Sequence, residues 1–342
     1  AMMLAQHYYP EFNPDLPLLI GQLYRRELAS DVKLVLMMVY PDEHPVTLVA
    51  AAGTEAESVR VVPLYQLDRR EAFDHLTSLY VPAMTEPGSL AAFQEIVARL
   101  RAPGGCPWDR EQTHDSLRPF LLEEAYEVLQ TLDDSDLGGL REELGDLLLQ
   151  ILLHTQIAIE QGEFKMADIV SHIVAKLKRR HPHVFGEVQV ANVEEVLTNW
   201  ERIKGQEEGH EPADGMLSSV PEAMPALARA QALQRRVARV GFDWPDLDGV
   251  CAKAEEEWRG LRKAVVTGGA TETELGDMLF STVSLARWLH IDAEVALRET
   301  AARFQTRFHQ MERECALRGR RFADLEVSEL DELWEQAKKQ TG

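Results

Sequence analysis

The segment EELGDLLLQILLHTQIA at residues 142–158 returns as TELGDMLFSTVSLARWL at residues 273–289, and its surroundings return with it in the same order. The CPWD loop at 106–109 has a counterpart in GFDWP at 241–245. Lys176 and Arg180 recur as Arg303 and Arg307, and Trp200 with Lys204 recurs as Trp334 with Lys338. A chain that repeats helical segments together with their loops is expected to build one supersecondary unit twice.

Three segments follow from the composition along the chain, which shifts near Pro87 and Gly88 and again across GQEEGHEPADGMLSSVP at 205–221. Residues 1–86 combine a helix beginning near Ser30 with the β-rich runs VTLVAAAG and SVRVVPLY, the pattern of a small α/β unit. Residues 87–208 and 209–342 are helical, so the fold class expected is mainly α. In the second segment Ser89, Thr113 and Asp136 are candidate N-caps for helices reaching Leu100, Leu132 and Glu160. MADIVSHIVAKLKRR and NVEEVLTNWERIK follow. The third segment repeats this order: a helix from Glu222, then CAKAEEEWRGLRKAV, ETELGDMLFSTVSLARWLH, a long helix from Ala293, and ELDELWEQAKK.

A chain of 342 residues, 45% of them hydrophobic, can bury real cores. Thirty-six basic against 57 acidic residues leave a net charge of −21, which repels nucleic acid and anionic membranes over most of the surface. A small polyphosphate remains compatible, because a divalent cation with a few Lys and Arg can reverse the field within one cleft. No run approaches the length of a membrane span and no secretory pattern opens the sequence, so a cytoplasmic protein is expected. Cys106, Cys251 and Cys315, odd in number and far apart, fit reduced thiols.

The chemistry lies in FLLEEAYEVLQTLDDSDLGGLREELGDLLLQILLH, residues 120–154. Glu124 with Glu127, and Glu143 with Asp146, are spaced i, i+3, so each pair projects from one side of its helix. If DDSDLGG turns the helices antiparallel, the pairs face each other. Four carboxylates in one cleft repel unless some are protonated or a cation sits among them. Mg²⁺ or Mn²⁺ is the natural occupant, since these ions take oxygen ligands and keep positions for phosphate oxygens and water. Two rival metal readings are weaker. His114 and Asp115 lack spaced partners, and His181 and His183 flank a proline with no cysteine nearby.

GCPWDREQTH, LLEEAYEV, REELGDLL, KRRHPHVFG and NWERIK closely resemble the MazG nucleoside triphosphate pyrophosphohydrolases, from Ser89 to roughly the end of the chain as two tandem repeats. The resemblance implies an all-α fold, usually dimeric, that hydrolyses nucleoside triphosphates to monophosphates and diphosphate with Mg²⁺ in nucleotide-pool house-cleaning. Glu124, Glu127, Glu143 and Asp146 would hold the metal, and Glu123 would orient or deprotonate the attacking water. Lys176 and Arg180 would meet the triphosphate, Lys204 would assist, and Trp200 resembles the family's base-contacting aromatic. A related phosphoribosyl-ATP or dUTP hydrolase would share the metal site. A helical scaffold that binds nucleotide without turnover would share the fold.

Residues 18–85 resemble the C-terminal half of a tetrapyrrole methylase without its Gly-rich first strand-to-loop segment, which implies a remnant. The apolar run Leu147 to Leu153 calls for a partner surface, either a second chain in a homodimer or the other repeat. Aligning the two ELGD motifs sets Glu274 and Asp277 opposite Glu143 and Asp146, and Glu256 and Glu257 opposite Glu123 and Glu124. Gly260 then stands where the first repeat has Glu127. The second repeat is therefore expected to be catalytically weak or silent, although catalysis in the family can reside in the C-terminal repeat.

Overall fold

The structure, a computed structural model, describes residues 1–342 apart from 7, 70–72, 207–215, 219 and 342. Packing divides the chain into two units, Ala1–His172 and Ile173–Gly342.

The first unit opens with the short helix α1 (Met2–Ala5), then β1 (Leu18–Ile20), α2 (Arg26–Leu36), β2 (Pro45–Ala50), β3 (Ser58–Pro63), a 3₁₀ turn over Leu64–Arg69, and β4 (Thr77–Val81). The strands form one antiparallel sheet in the order β1-β4-β2-β3. Alternation sets its inner face: Val46, Leu48 and Ala50 of β2 are buried, as are Thr77, Leu79 and Val81 of β4, with Leu48 opposite Leu79. Leu28, Ala29, Val32 and Leu36 on one stripe of α2 complete this core. The helix begins at Arg26, ahead of the expected Ser30, whose hydroxyl donates to Asp68 (3.0 Å) beside the Lys33–Asp68 ion pair (2.6 Å) instead of capping.

Helices follow: α3 (Leu90–Arg101), α4 (Pro107–Glu111), α5 (Arg118–Asp133), α6 (Leu137–Gln161) and α7 (Met166–Arg180), the last running across the division between the units. Ser89 caps α3 by accepting from the Ala92 amide at 3.1 Å, while Asp15 accepts from the Gly88 amide and the Ser89 hydroxyl. Val97, Leu117, Leu152, Leu153 and Ile157 form the helical core, with Phe93, Phe120, Leu149 and Met166 against it. Thr113 does not start a helix. It exchanges hydrogen bonds with Ser116 in a turn, and α5 begins at Arg118, where Pro119 suits the first helical turn because its missing N–H would have no partner there.

The second unit holds α8 (Pro182–Phe185), α9 (Val193–Gln206), α10 (Ala226–Ala238), α11 (Leu247–Thr267), α12 (Thr271–Trp288), α13 (Ala293–Leu317), a 3₁₀ turn over Phe322–Asp324, and α14 (Val327–Thr341). Met311, Cys315, Leu333 and Ala337 bind α13 to α14. α10 starts four residues after the expected Glu222, because Pro225 disfavours helix at the residue before it. The protein is mainly α with one small sheet. Its three cysteines are free, and among the described residues no helix is long and apolar enough to cross a membrane.

Candidate active site

Two helices joined by a three-residue turn place the acids. Ser135 in that turn takes a left-handed backbone (φ 55°), and Asp136 caps α6 by accepting from the Gly138 and Gly139 amides at 3.0 and 3.1 Å. Gly139 suits this cap, since a Cβ there would lie 2.7 Å from an Asp136 carboxylate oxygen. α5 packs closely along α6, so that the Glu124 and Glu127 side of one helix meets the Glu143 side of the other.

Glu124, Glu127 and Glu143 each bring a carboxylate oxygen within 4.8 Å of the others. Glu124 is half-buried and its pKa is raised, first by burial, then by the charges of Asp146 and Glu127 and a hydrogen bond with Glu127. The Glu143 pKa is raised by partial burial and by Glu127, Glu142 and Asp146. Asp146 therefore lies outside the tight trio but within its field. Glu123 is exposed and not part of the trio.

Among the described residues no Lys, Arg or His pairs with Glu124, Glu127, Glu143 or Asp146. An all-oxygen, uncompensated donor set of this kind fits a hard divalent cation. The α11–α12 hairpin differs. Lys253 Nζ lies 2.6 Å from Glu257 and 3.0 Å from Glu256, so that one lysine pairs with two of the carboxylates. A Cβ on Gly260 would lie 2.3 Å from Glu274 Oε2, so the space of the missing Glu side chain is taken by the Glu274 carboxylate.

A model of the MazG nucleotide pyrophosphohydrolase domain matches residues 112–185, which span the five acids with Lys176 and Arg180. The chain is 44% identical over 250 residues to the nucleoside triphosphate pyrophosphohydrolase of Escherichia coli strain K12, covering 72% of this chain and 95% of that protein. The chain belongs to the MazG family. It is also 42% identical over 258 residues to the nucleoside triphosphate pyrophosphohydrolase/pyrophosphatase MazG of Thermotoga maritima, covering 75% of this chain and 98% of that protein. With the YabN protein of Bacillus subtilis strain 168 it shares 42% identity over 329 residues, 94% of this chain and 67% of that protein.

The remaining expected site residues of this MazG chain belong to the second unit. Lys176 and Arg180 are half-buried on α7, and Arg180 lies over the Trp200 ring, 5.4 Å from its centroid. Arg307 lies over Trp334 in the same way at 6.0 Å. The Lys204 side chain lies outside what the structure describes. The stacking is absent from any reading by spacing alone, as is the Lys253 clamp. Neither histidine rival holds a metal group: His114 and His154 face each other Nδ1 to Nδ1 at 2.7 Å, and His181 Nδ1 bonds the Leu177 carbonyl at 2.8 Å.

Proposed function

We propose that the chain hydrolyses nucleoside and deoxynucleoside triphosphates to monophosphates and diphosphate, at the α5–α6 hairpin and with Mg²⁺ or Mn²⁺. The convergence of Glu124, Glu127 and Glu143, with no side-chain cation paired to them among the described residues, carries this reading. The names of the E. coli and T. maritima relatives support it.

Glu124, Glu127, Glu143 and Asp146 would hold the cation. When bound, it supplies positive charge to the triphosphate, which otherwise could not approach four carboxylates. Glu123, exposed beside this set, accepts the proton of the water that breaks the α–β anhydride, and the diphosphate departs with the bridging oxygen. Lys176 and Arg180 meet phosphate oxygens, Lys204 assists, and Trp200, stiffened under Arg180, offers its ring to the base.

The wider organisation belongs to the same proposal. It comprises a methylase-like segment at 1–86, a complete MazG repeat at 87–208 and an incomplete one at 209–342, in a homodimer acting on the cytoplasmic nucleotide pool. Gly260 meeting Glu274 across the α11–α12 hairpin, where Glu127 meets Glu143 across α5–α6, supports the correspondence of the two halves. The Lys253 clamp favours a non-catalytic role for the second half. The test is product analysis on a panel of triphosphates with and without Mg²⁺. Diphosphate and monophosphate in equal amounts support the reading; orthophosphate, or no turnover with any triphosphate, overturns it.

A further inference from the structure

The correspondence proposed above also sets apart the open ends of the two hairpins. Setting Glu143 opposite Glu274 sets His154 opposite Leu285, and setting Glu124 opposite Glu257 sets Phe120 opposite Lys253, Leu117 opposite Val250 and His114 opposite Leu247. Leu117 and Val250 are each 1% exposed, as the correspondence requires. Two leucines thus stand where the first half has two histidines. Leucines suffice to pack such a corner, so packing alone does not call for imidazoles there.

The histidines make a specific bond. Their ring planes lie within 3° of parallel, their centroids are 5.1 Å apart and their Nδ1 atoms 2.7 Å apart. A centroid separation close to the nitrogen separation plus one ring radius on each side sets the rings edge to edge in one plane, the geometry of an N–H···N bond with one proton between two nitrogens. Burial assigns that proton. His154 Nε2 is buried with no partner, and a buried N–H left unpaired is costlier than a buried lone pair, so His154 carries its proton on Nδ1 and donates to His114.

The bond joins the segment that leads into α5 to the later part of α6. Leu117, three residues after His114, packs with Leu152 and Leu153 in the helical core. Glu143, Asp146, Gln150 and His154 follow at intervals of three, four and four residues, so His154 lies on the side of α6 that carries the acids. Asp136 fixes the turn end of the hairpin and the histidine pair its open end, with the acids between.

We propose that His114 and His154 are positioning residues for the cation site, a one-proton clasp that holds α5 against α6 near neutral pH and opens in mild acid, so that cation affinity falls there more steeply than the carboxylates alone would make it. The coupling rests on the metal reading above. A second proton would set two imidazolium charges 2.7 Å apart and leave no lone pair to accept. Burial first, and then the charge of His114, lowers the His154 pKa. The unfolded chain therefore takes up protons that the clasp refuses, and stability is lost as pH falls below the ordinary histidine value of 6.5. Among the described residues no other charge holds the pair closed: His114 is the one group acting on His154 by charge, Asp115 pairs with Arg118 of α5 at 3.8 Å, and Arg101 of α3 is committed to Glu160 at 2.8 Å and to the Asp109 and Gln112 carbonyls.

The test compares the full-length wild type with His114→Leu/His154→Leu, which places the second half's leucines in the first, at about pH 7.5 and about pH 5.5. The melting temperature in EDTA should fall further for the wild type than for the double variant over that interval. Mn²⁺ affinity, read by paramagnetic resonance of free Mn²⁺, should be nearly equal for both at about pH 7.5 and at least about fivefold weaker for the wild type at about pH 5.5. His114→Leu alone, which leaves the His154 ring unpaired, should bind Mn²⁺ worse than either at about pH 7.5, and adding His154→Leu should restore the affinity. A ratio of affinities, or a difference in melting, that does not change with pH gives the pair a merely structural role and overturns the proposal. Additive losses in the single and double variants do the same. If the wild type fails to bind Mn²⁺ at neutral pH, the metal reading falls and the coupling with it; normal binding with a constant ratio overturns the coupling alone.

Discussion

Asp243 and Glu124 are two carboxylates driven in opposite directions by their neighbours. Asp243 accepts from Arg287, the Trp244 amide and the Trp288 indole, which hold its pKa down at about 2 against an ordinary 3.8. Its stabilisation is therefore full above the ordinary value and is lost as pH falls through 3.8 toward 2. Asp243→Asn should lose on the order of 1–2 kcal/mol in denaturant unfolding at pH 7, the upper part of that range being reduced by solvent screening, and little near pH 2. Glu124 behaves inversely, because burial and the surrounding carboxylates raise its pKa. Without metal, the folded state holds the Glu124 proton more tightly than the unfolded state does, so stability is lost as pH rises from 4.5 through the raised value. Metal-free Glu124→Gln should melt above metal-free wild type at pH 7. Millimolar Mg²⁺ should reverse that order by stabilising only the wild type, with activity of the variant lower by orders of magnitude. A melt of the two proteins with and without Mg²⁺ checks both signs.

The α5–α6 hairpin depends on a single cap. Asp136 holds the first turn of α6, and Glu143 and Asp146 follow two to three turns later on the same helix. Asp136→Ala should destabilise the chain by about 1 kcal/mol and weaken metal binding more than it lowers total helicity, measurable by denaturation and Mn²⁺ titration. This cap was legible because a short polar side chain able to accept from the first helical amides precedes a helical run, and Ser89 was legible for the same reason. Thr113 has the same chemistry yet only closes a turn, because Pro119 sets where the helix enters its regular form. The acids were legible through i, i+3 spacing on two helices, a one-dimensional pattern. The Lys253 clamp and the Arg180–Trp200 stack were not, since each depends on side-chain rotamers that spacing does not specify.

At the scale of the whole molecule, apolar surface remains on both hairpins. Leu122, Tyr126, Leu144 and Ile151 are exposed on α5–α6, and Trp258, Val265, Leu275 and Leu279 on α11–α12. Apolar patches of this kind call for a partner, and a second copy supplies one symmetrically. Light scattering at micromolar concentration should give twice the 38.6 kDa chain mass, and Tyr126→Glu should shift it toward the monomer. The division of labour between the halves gives the sharpest test. Glu143→Ala should abolish both diphosphate release and tight Mn²⁺ binding, because in the other hairpin Lys253 pairs with Glu256 and Glu257 and a ligand is lacking at Gly260. Glu274→Gln should leave both intact. Restoring the first half's residues at two positions, Lys253→Phe and Gly260→Glu, removes the internal cation and adds the missing carboxylate. The Cβ of the new Glu meets only the mobile end of Glu274, which can swing aside. On the Glu143→Ala background, that double change should return Mn²⁺ affinity, read by paramagnetic resonance of free Mn²⁺, whereas Gly260→Glu alone should return little. Equal recovery with the lysine still present would show that Lys253 does not keep the second hairpin metal-free.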